Sequence, residues 1–208
     1  MEIVSITRDK LHLTKISLSD GSERLIDNDI VAEASLFEEM EITDDELLEL
    51  VFKSDYRRAK QRALWYLDRM DYTEKGLFDK LIKAGFEKRA CAKVLAYFCE
   101  VGLIDDRRFA ERLAERYTEA NKSKREILNK LYQKGVPLDL AKEVLTGTET
   151  DEVAQIKAII EKKYAYRLSD KASYGKVFAA LARKGFSFSA VKEALSQYKS
   201  ELEFSEEY

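Results

Sequence analysis

The chain has 208 residues, with 36 basic and 39 acidic side chains and a net charge of −3, which argues against a simple DNA-coating protein. Hydrophobic residues make up 45 %, enough for a sizeable core, and the single Pro and eight Gly point to long uninterrupted helices. No signal peptide and no apolar run of membrane-spanning length is present, so the expectation is a cytoplasmic protein without membrane contact.

The charge is unevenly spread. Residues 1–54 carry 5 basic and 14 acidic side chains, net −9, whereas residues 55–104 carry 11 and 7, net +4. An acidic head on a mildly basic body suits a protein that meets another protein, one already bound to nucleic acid included. In chain order, Glu2–Thr7 and Leu11–Leu18 read as strands, Asp20-Gly21 as a hairpin turn and Glu23–Ile26 as the returning strand. His12, the one histidine, falls in the second strand and lacks companions for a metal site. A short helix over Ile30–Phe37 and an acidic linker over Glu38–Met40 follow. Thr43 and Glu46 form a capping-box pattern that opens a helix running from Asp44 to about Lys53. A further helix is expected from Asp55 to Met70.

From there the chain repeats. Thr73, Ser123 and Ser173 are candidate N-caps spaced 50 residues apart, and Gly85, Gly135 and Gly185 stand where each helix would end. Apolar positions match between them: Leu77, Ile127 and Val177; Phe78, Leu128 and Phe178; Leu81, Leu131 and Leu181. Each glycine precedes Phe86, Val136 or Phe186, then a third helix carrying Leu95, Leu145 or Leu195. Lys83, Lys134 and Lys184 lie near the negative helix ends. Gly102-Leu103-Ile104-Asp105-Asp106 closes one unit and opens the next, with Asp105 as its cap.

This is an internal repeat of three-helix units. The expected fold is mainly α: tandem three-helix-bundle repeats in an elongated curved array behind a small N-terminal antiparallel β-meander. The expected divisions are 1–54, 55–104, 105–150 and 151–208. Pro137 stands at a helix start. Thr146–Thr150 is a polar break and the expected hinge, and the tail from Glu201 is acidic. Cys91 and Cys99 lie about 12 Å apart along one helix, too far to bridge, and read as buried thiols.

No catalytic set emerges: no glycine-rich phosphate loop, no metal cage and no nucleophile–base pair, so no cofactor is expected. The acid pairs Asp44-Asp45 and Asp105-Asp106 sit where helices begin, and capping accounts for them better than magnesium. What remains is surface. On helix 55–70, Ala59, Ala63, Leu64, Leu67 and Met70 cluster on one side and Arg58, Arg62, Trp65 and Arg69 on the other. An exposed Trp among arginines anchors a protein partner or a phosphate backbone; the alternative packs Trp65 under the strands.

On the next long helix, Phe109, Ala110, Leu113, Ala114 and Tyr117 form the buried face. Arg108, Arg112 and Arg116 line the other side among Glu111, Glu115 and Glu119, which also fits an ordinary solvated face. Lys122, Lys124 and Arg125 extend the basic run to a helix start where a phosphate could sit. Tyr164, Tyr166, Arg167 and Lys171 make a smaller basic-aromatic cluster.

Gly102-Leu103-Ile104-Asp105-Asp106 followed by Phe109-Ala110 resembles the central signature of RecX regulatory proteins. The order of the flanking pieces agrees: the Arg/Ala/Leu-rich helix to Arg69-Met70, the cap at Thr73, the stop from Leu81 to Gly85, and Lys134-Gly135. The resemblance covers residues 55–145, and residues 146–200 fit as a third unit. Thr73-Glu74-Lys75-Gly76 departs from the family's usual Ser-x-x-Glu start.

The resemblance implies a non-enzymatic cytoplasmic modulator of the RecA recombinase, acting in homologous recombination, DNA repair and the SOS response. It implies a monomer that lodges in the RecA–DNA filament groove. There it restrains ATP hydrolysis, strand exchange and repressor cleavage. Some members also bind single- or double-stranded DNA. The alternatives are a helical nucleic-acid-binding protein acting without RecA and a helical adaptor for another partner.

Overall fold

The computed structural model describes residues 1–9, 12–168 and 171–205; the side chains of Arg167, Lys171, Ala172 and residues 199–205 lie outside the description, as do Lys10, Leu11, Ser169, Asp170 and the last three residues. The basic half of the Tyr164–Lys171 cluster, the start of the strand expected at Leu11 and the acidic side chains of the tail therefore fall outside the described residues.

Three antiparallel strands, β1 Ile3–Arg8, β2 Leu13–Leu18 and β3 Glu23–Asp27, form a sheet in that order. The hairpin forms at Asp20-Gly21: Gly21 takes φ +81°, and Asp20 Oδ1 accepts from Ser22 N at 2.8 Å. His12 lies just outside β2 at φ +63°, so the second strand begins later than its composition suggests. α1 spans Asn28–Glu33, shorter than expected, because Ser35 turns left-handed at φ +51° just beyond its C-cap Ala34. The acidic segment 38–40 is more than linker: Glu39 N donates to Ile3 O, and Ile3 N donates to Met40 O.

The helix expected to break near Lys53 is continuous, α2 Asp44–Leu67. Its capping box is complete, with Glu46 N donating to Thr43 Oγ1 and Glu46 Oε2 accepting from Thr43 N. The bonds that Glu46 Oε2 accepts from Thr43 N and from Thr43 Oγ1 hold its carboxyl below the ordinary value. The stability they add is present above that ordinary value and is lost as pH falls through the lowered one. No Gly or Pro interrupts the helix between Lys53 and Asp55, and Ser54 faces inward. Fully buried, Ser54 accepts from Asp27 N at 2.8 Å and pins β3 to the helix. Arg57 adds ion pairs to Asp27 and Asp29. Ser54→Ala leaves the Asp27 N–H buried without an acceptor. The expected loss is about 1–3 kcal/mol in urea unfolding, with Ser54→Thr milder.

The remaining helices are α3 Glu74–Lys83, α4 Lys88–Glu100, α5 Asp106–Glu119, α6 Lys124–Gln133, α7 Leu138–Gly147, α8 Glu152–Lys163, α9 Lys171–Lys184 and α10 Phe188–Ser205, with a 3-10 turn at Ala165–Arg167. Thr73 and Ser123 cap as expected, accepting from Gly76 N and Glu126 N. Ser173 does not cap: it lies inside α9, which begins two residues earlier. Gly85, Gly135 and Gly185 take φ +89°, +92° and +98°. After the first two, Phe86 N and Val136 N reach back to Leu81 O and Leu131 O, closing Schellman-type ends. Gly102 ends α4 in the same way. Pro137 is the residue before α7 rather than its first.

Two compact units result, Met1–Asp105 and Asp106–Tyr208. The first holds a core between sheet, α1 and the start of α2, and another built on Ala59, Ala63, Leu77, Leu81, Val94, Leu95 and Phe98. The second unit holds one core from α5–α7 and one from α8–α10. The matched repeat positions Leu77, Ile127 and Val177 are all buried, and each such residue contributes about 1.5–3 kcal/mol relative to exposure.

Cys91 is buried, but Cys99 is exposed, because eight residues at 3.6 per turn place it about 80° round the helix. Burial, with Glu87 and Asp55 adding negative charge, pushes the Cys91 thiol up. A thiol reagent is expected to titrate one cysteine per folded chain quickly, at Cys99, and the second only on unfolding. Equal fast reaction of both would contradict the packing of Cys91.

Candidate partner-binding surface

The second half of α2 buries a narrow stripe. Ala59 and Ala63 are fully covered, and their small side chains let the neighbouring helices approach closely. The broader apolar face expected from periodicity is not all buried: Leu64 is 43 % and Met70 50 % exposed. The helix ends at Leu67, so Met70 leaves the 100° progression.

Arg62, Trp65 and Arg69 come together on the outer side. Trp65 is 45 % exposed, with the Arg69 guanidinium carbon 3.5 Å and that of Arg62 5.3 Å from its ring. Arg69 Nη1 also donates to Trp65 O at 2.9 Å, which fixes the stack. Tyr66 meets the indole edge-on at 5.2 Å. The arrangement is a rigid apolar plate flanked by two cations, suited to a carboxylate-bearing protein face or a phosphate. Arg58 lines the same hollow as Arg62 and Trp65 but is engaged elsewhere. It is half-buried, pairs with Asp55 at 3.3 Å and lies over the Phe86 ring at 5.6 Å. Burial raises the Asp55 carboxyl, and the charge of Arg58 works against that rise.

Trp65 borders two hollows. One, of about 640 Å³, is walled by the strand end at Leu13, Asp27 and Asn28. The other, of about 560 Å³, is lined by Leu64, Leu67 and Leu103. Trp65 thus reaches the sheet without being covered by it. The exposed apolar neighbours Leu64 and Leu103 were missed by periodicity, which assigned Leu64 to the core; the closeness of Leu103 in space has no signal in the sequence.

On α5 the arginines Arg108, Arg112 and Arg116 are exposed along one face, with Glu111, Glu115 and Glu119 among them. Arg107 pairs with Glu143 at 2.7 Å. Phe109, Ala110, Leu113, Ala114 and Tyr117 face the core as expected.

Lys122, Lys124 and Arg125 have other work within the second unit. Lys122 pairs with Glu126 at 2.7 Å, and Lys124 Nζ donates to Thr148 O at 3.0 Å. Arg125 Nη2 donates to Ala182 O and Arg183 O at 3.2 and 2.9 Å. Ser123 Oγ, fully buried, donates to Lys184 O at 2.6 Å. The helix start expected to receive a phosphate thus receives the carbonyl end of α9 instead, which has the matching negative partial charge. The polar break is also shorter than expected: α7 reaches Gly147, and the Thr146 and Thr148 hydroxyls bond back to Lys142 O and Val144 O.

Among the described residues no cluster of His, Cys, Asp and Glu could hold a metal, and no described helix is long and apolar enough to cross a membrane.

Comparisons with known proteins converge. Models of the first, second and third three-helix domains of RecX match residues 59–98, 105–145 and 149–195. The regulatory protein RecX of Clostridium tetani is 30 % identical over 166 residues, covering 76 % of this chain and 74 % of that protein. The RecX of Streptococcus gordonii is 29 % identical over 93 % of this chain and 76 % of its own. A crystal structure of regulatory protein RecX superposes with a TM-score of 0.66 at 23 % identity, covering 92 % of this chain and 97 % of that one. With three successive domains matched in order and relatives aligned along nearly its whole length, the chain belongs to the RecX family of regulatory proteins.

Proposed function

We propose that this protein is a non-enzymatic cytoplasmic regulator of homologous recombination and DNA repair. It binds the groove of the RecA–DNA filament as a monomer and restrains RecA's ATPase, strand exchange and coprotease activity. Family membership supports the regulatory role, and the observation that carries the binding mode is the exposed Trp65 held between Arg62 and Arg69. Separate helical modules presenting separate small surfaces suit a polymeric partner, because weak contacts to successive subunits add as avidity.

The test is RecA's DNA-dependent ATPase with the protein added, alongside capture of the protein on filaments and on bare single-stranded DNA. Retention on filaments with a slowed ATPase supports the reading. Tight binding to bare DNA alone, falling steeply with salt, would replace it with a nucleic-acid-binding protein acting without RecA. In that case the α5 face of Arg108, Arg112 and Arg116 becomes the surface to mutate.

A further inference from the structure

A second surface lies at the acidic end of the first unit. From Leu25 to Phe52 the sequence has ten Asp and Glu and no Lys or Arg. Within this stretch the segment after α1 and the first turns of α2 enclose a groove of about 200 Å³. Its floor is apolar, made by Leu36, Met40, Ile42 and Leu50, and Glu46 and Glu49 stand at its rim. Phe37, next in sequence to the lining residue Leu36, is 61 % exposed.

The wall is held in place. Leu36 N donates to Val31 O, Glu39 N to Ile3 O and Ile42 N to Met1 O, so the groove exists before anything enters it. Glu39 and Glu41 are exposed beside it, and Glu49 pairs with Lys53 at 2.9 Å, the one cation lining it. Glu46 is already engaged by Thr43.

We infer that this groove docks a basic amphipathic segment of a partner protein, taking one large apolar side chain on its floor while Lys or Arg on either side meet Glu39, Glu41 and Glu49. The charge selects the occupant. Nucleic acid and anionic lipid are repelled, and a neutral apolar segment leaves the carboxylates unanswered. A helix with apolar anchors and flanking cations satisfies both parts. The entering cation also replaces Lys53 at Glu49, an exchange of one exposed pair for another that costs little.

The surface is separate from Trp65, so it stands or falls independently of filament binding through that residue. The full-length protein would be titrated into a fluorescein-labelled Leu/Lys peptide whose apolar residues follow i, i+3, i+4, i+7 spacing, read by anisotropy. A scrambled peptide of equal composition and a patterned Leu/Glu peptide are the controls. The patterned Leu/Lys peptide should bind best. Affinity should fall at least about tenfold with Glu39→Lys plus Glu49→Lys, fall with Phe37→Ser, and hold with Trp65→Ala. Circular dichroism checks the fold of each variant. Equal binding of the scrambled peptide, or undiminished affinity in the folded charge variant, would overturn the assignment. So would self-association in sedimentation that the same substitutions abolish, since that would give the groove to a second copy.

Discussion

Trp65→Ala combined with Arg62→Glu and Arg69→Glu is expected to weaken binding to RecA–DNA filaments by at least about 100-fold and to remove the effect on ATP hydrolysis. The size follows from what the three groups do together. A half-exposed indole clamped by two guanidinium groups loses little conformational freedom on binding, and buried Trp anchors at interfaces contribute about 2–4 kcal/mol. Reversing the two charges then turns attraction into repulsion.

Trp65→Ala alone should lose about tenfold or more, and Trp65→Phe should restore part of it. All three positions are outward-facing, so the helix should persist, as circular dichroism would show. Arg58→Glu is a poor probe of the same surface. Its guanidinium is engaged with Asp55 and Phe86, and its loss would disturb the packing of α2 itself. Unchanged filament affinity in the folded triple variant would remove this surface from the mechanism.

Much of this architecture is written in short-range chemistry. Thr43 with Glu46, Thr73 and Ser123 are caps because a hydroxyl follows extended backbone and precedes an apolar stripe. Gly85, Gly102, Gly135 and Gly185 are stops because the chain must turn left-handed there. Such features depend on neighbours within a few residues and are legible one residue at a time. The errors have a common cause in contacts distant along the chain. The helix expected to stop near Lys53 runs on through Ser54, a buried acceptor for Asp27, 27 residues away. Lys124 and Arg125 read as a free basic helix start and are bound to carbonyls 24 to 58 residues on. For the candidate site, the grouping of Arg62 and Trp65 follows from helical spacing, whereas Arg69, beyond the helix end, joins them through its bond to Trp65 O. The withdrawal of Arg58 and the exposure of Leu64 depend on how wide a stripe the neighbouring helices cover.

Gly185→Ala should be more damaging than the same substitution at Gly85 or Gly102. A Cβ there would lie 2.7 Å from Arg125 Nε and 2.8 Å from both Arg125 Cβ and Ser123 Oγ. The side chain must therefore push apart the hydroxyl and guanidinium that hold α9 to the start of α6. Left-handed strain of about 1–2 kcal/mol adds to overpacking of about 1–3 kcal/mol and a lost bond at buried Ser123, for an expected total of about 3–5 kcal/mol.

Gly85→Ala is the control. It has the same backbone sign at φ +89° but nothing within 4 Å of the added carbon, so only the strain remains, about 1–2 kcal/mol. Urea unfolding gives both values, and hydrogen exchange should quicken at residues 123–126 as well as 182–187 for Gly185→Ala alone. Equal losses in the two variants would mean that the joint between α6 and α9 contributes nothing.

That joint also sets an order of events during synthesis. Ser123 and Arg125 find their carbonyl partners 57 to 61 residues later in the chain. When the three helices α5–α7 first emerge from the ribosome, the acceptors at Ala182, Arg183 and Lys184 have not yet emerged. Until the third module arrives, the Ser123 hydroxyl and the Arg125 guanidinium of the nascent second module are answered by solvent; its arrival then covers the hydroxyl, while the guanidinium stays at the surface. The last repeat made therefore finishes the one before it.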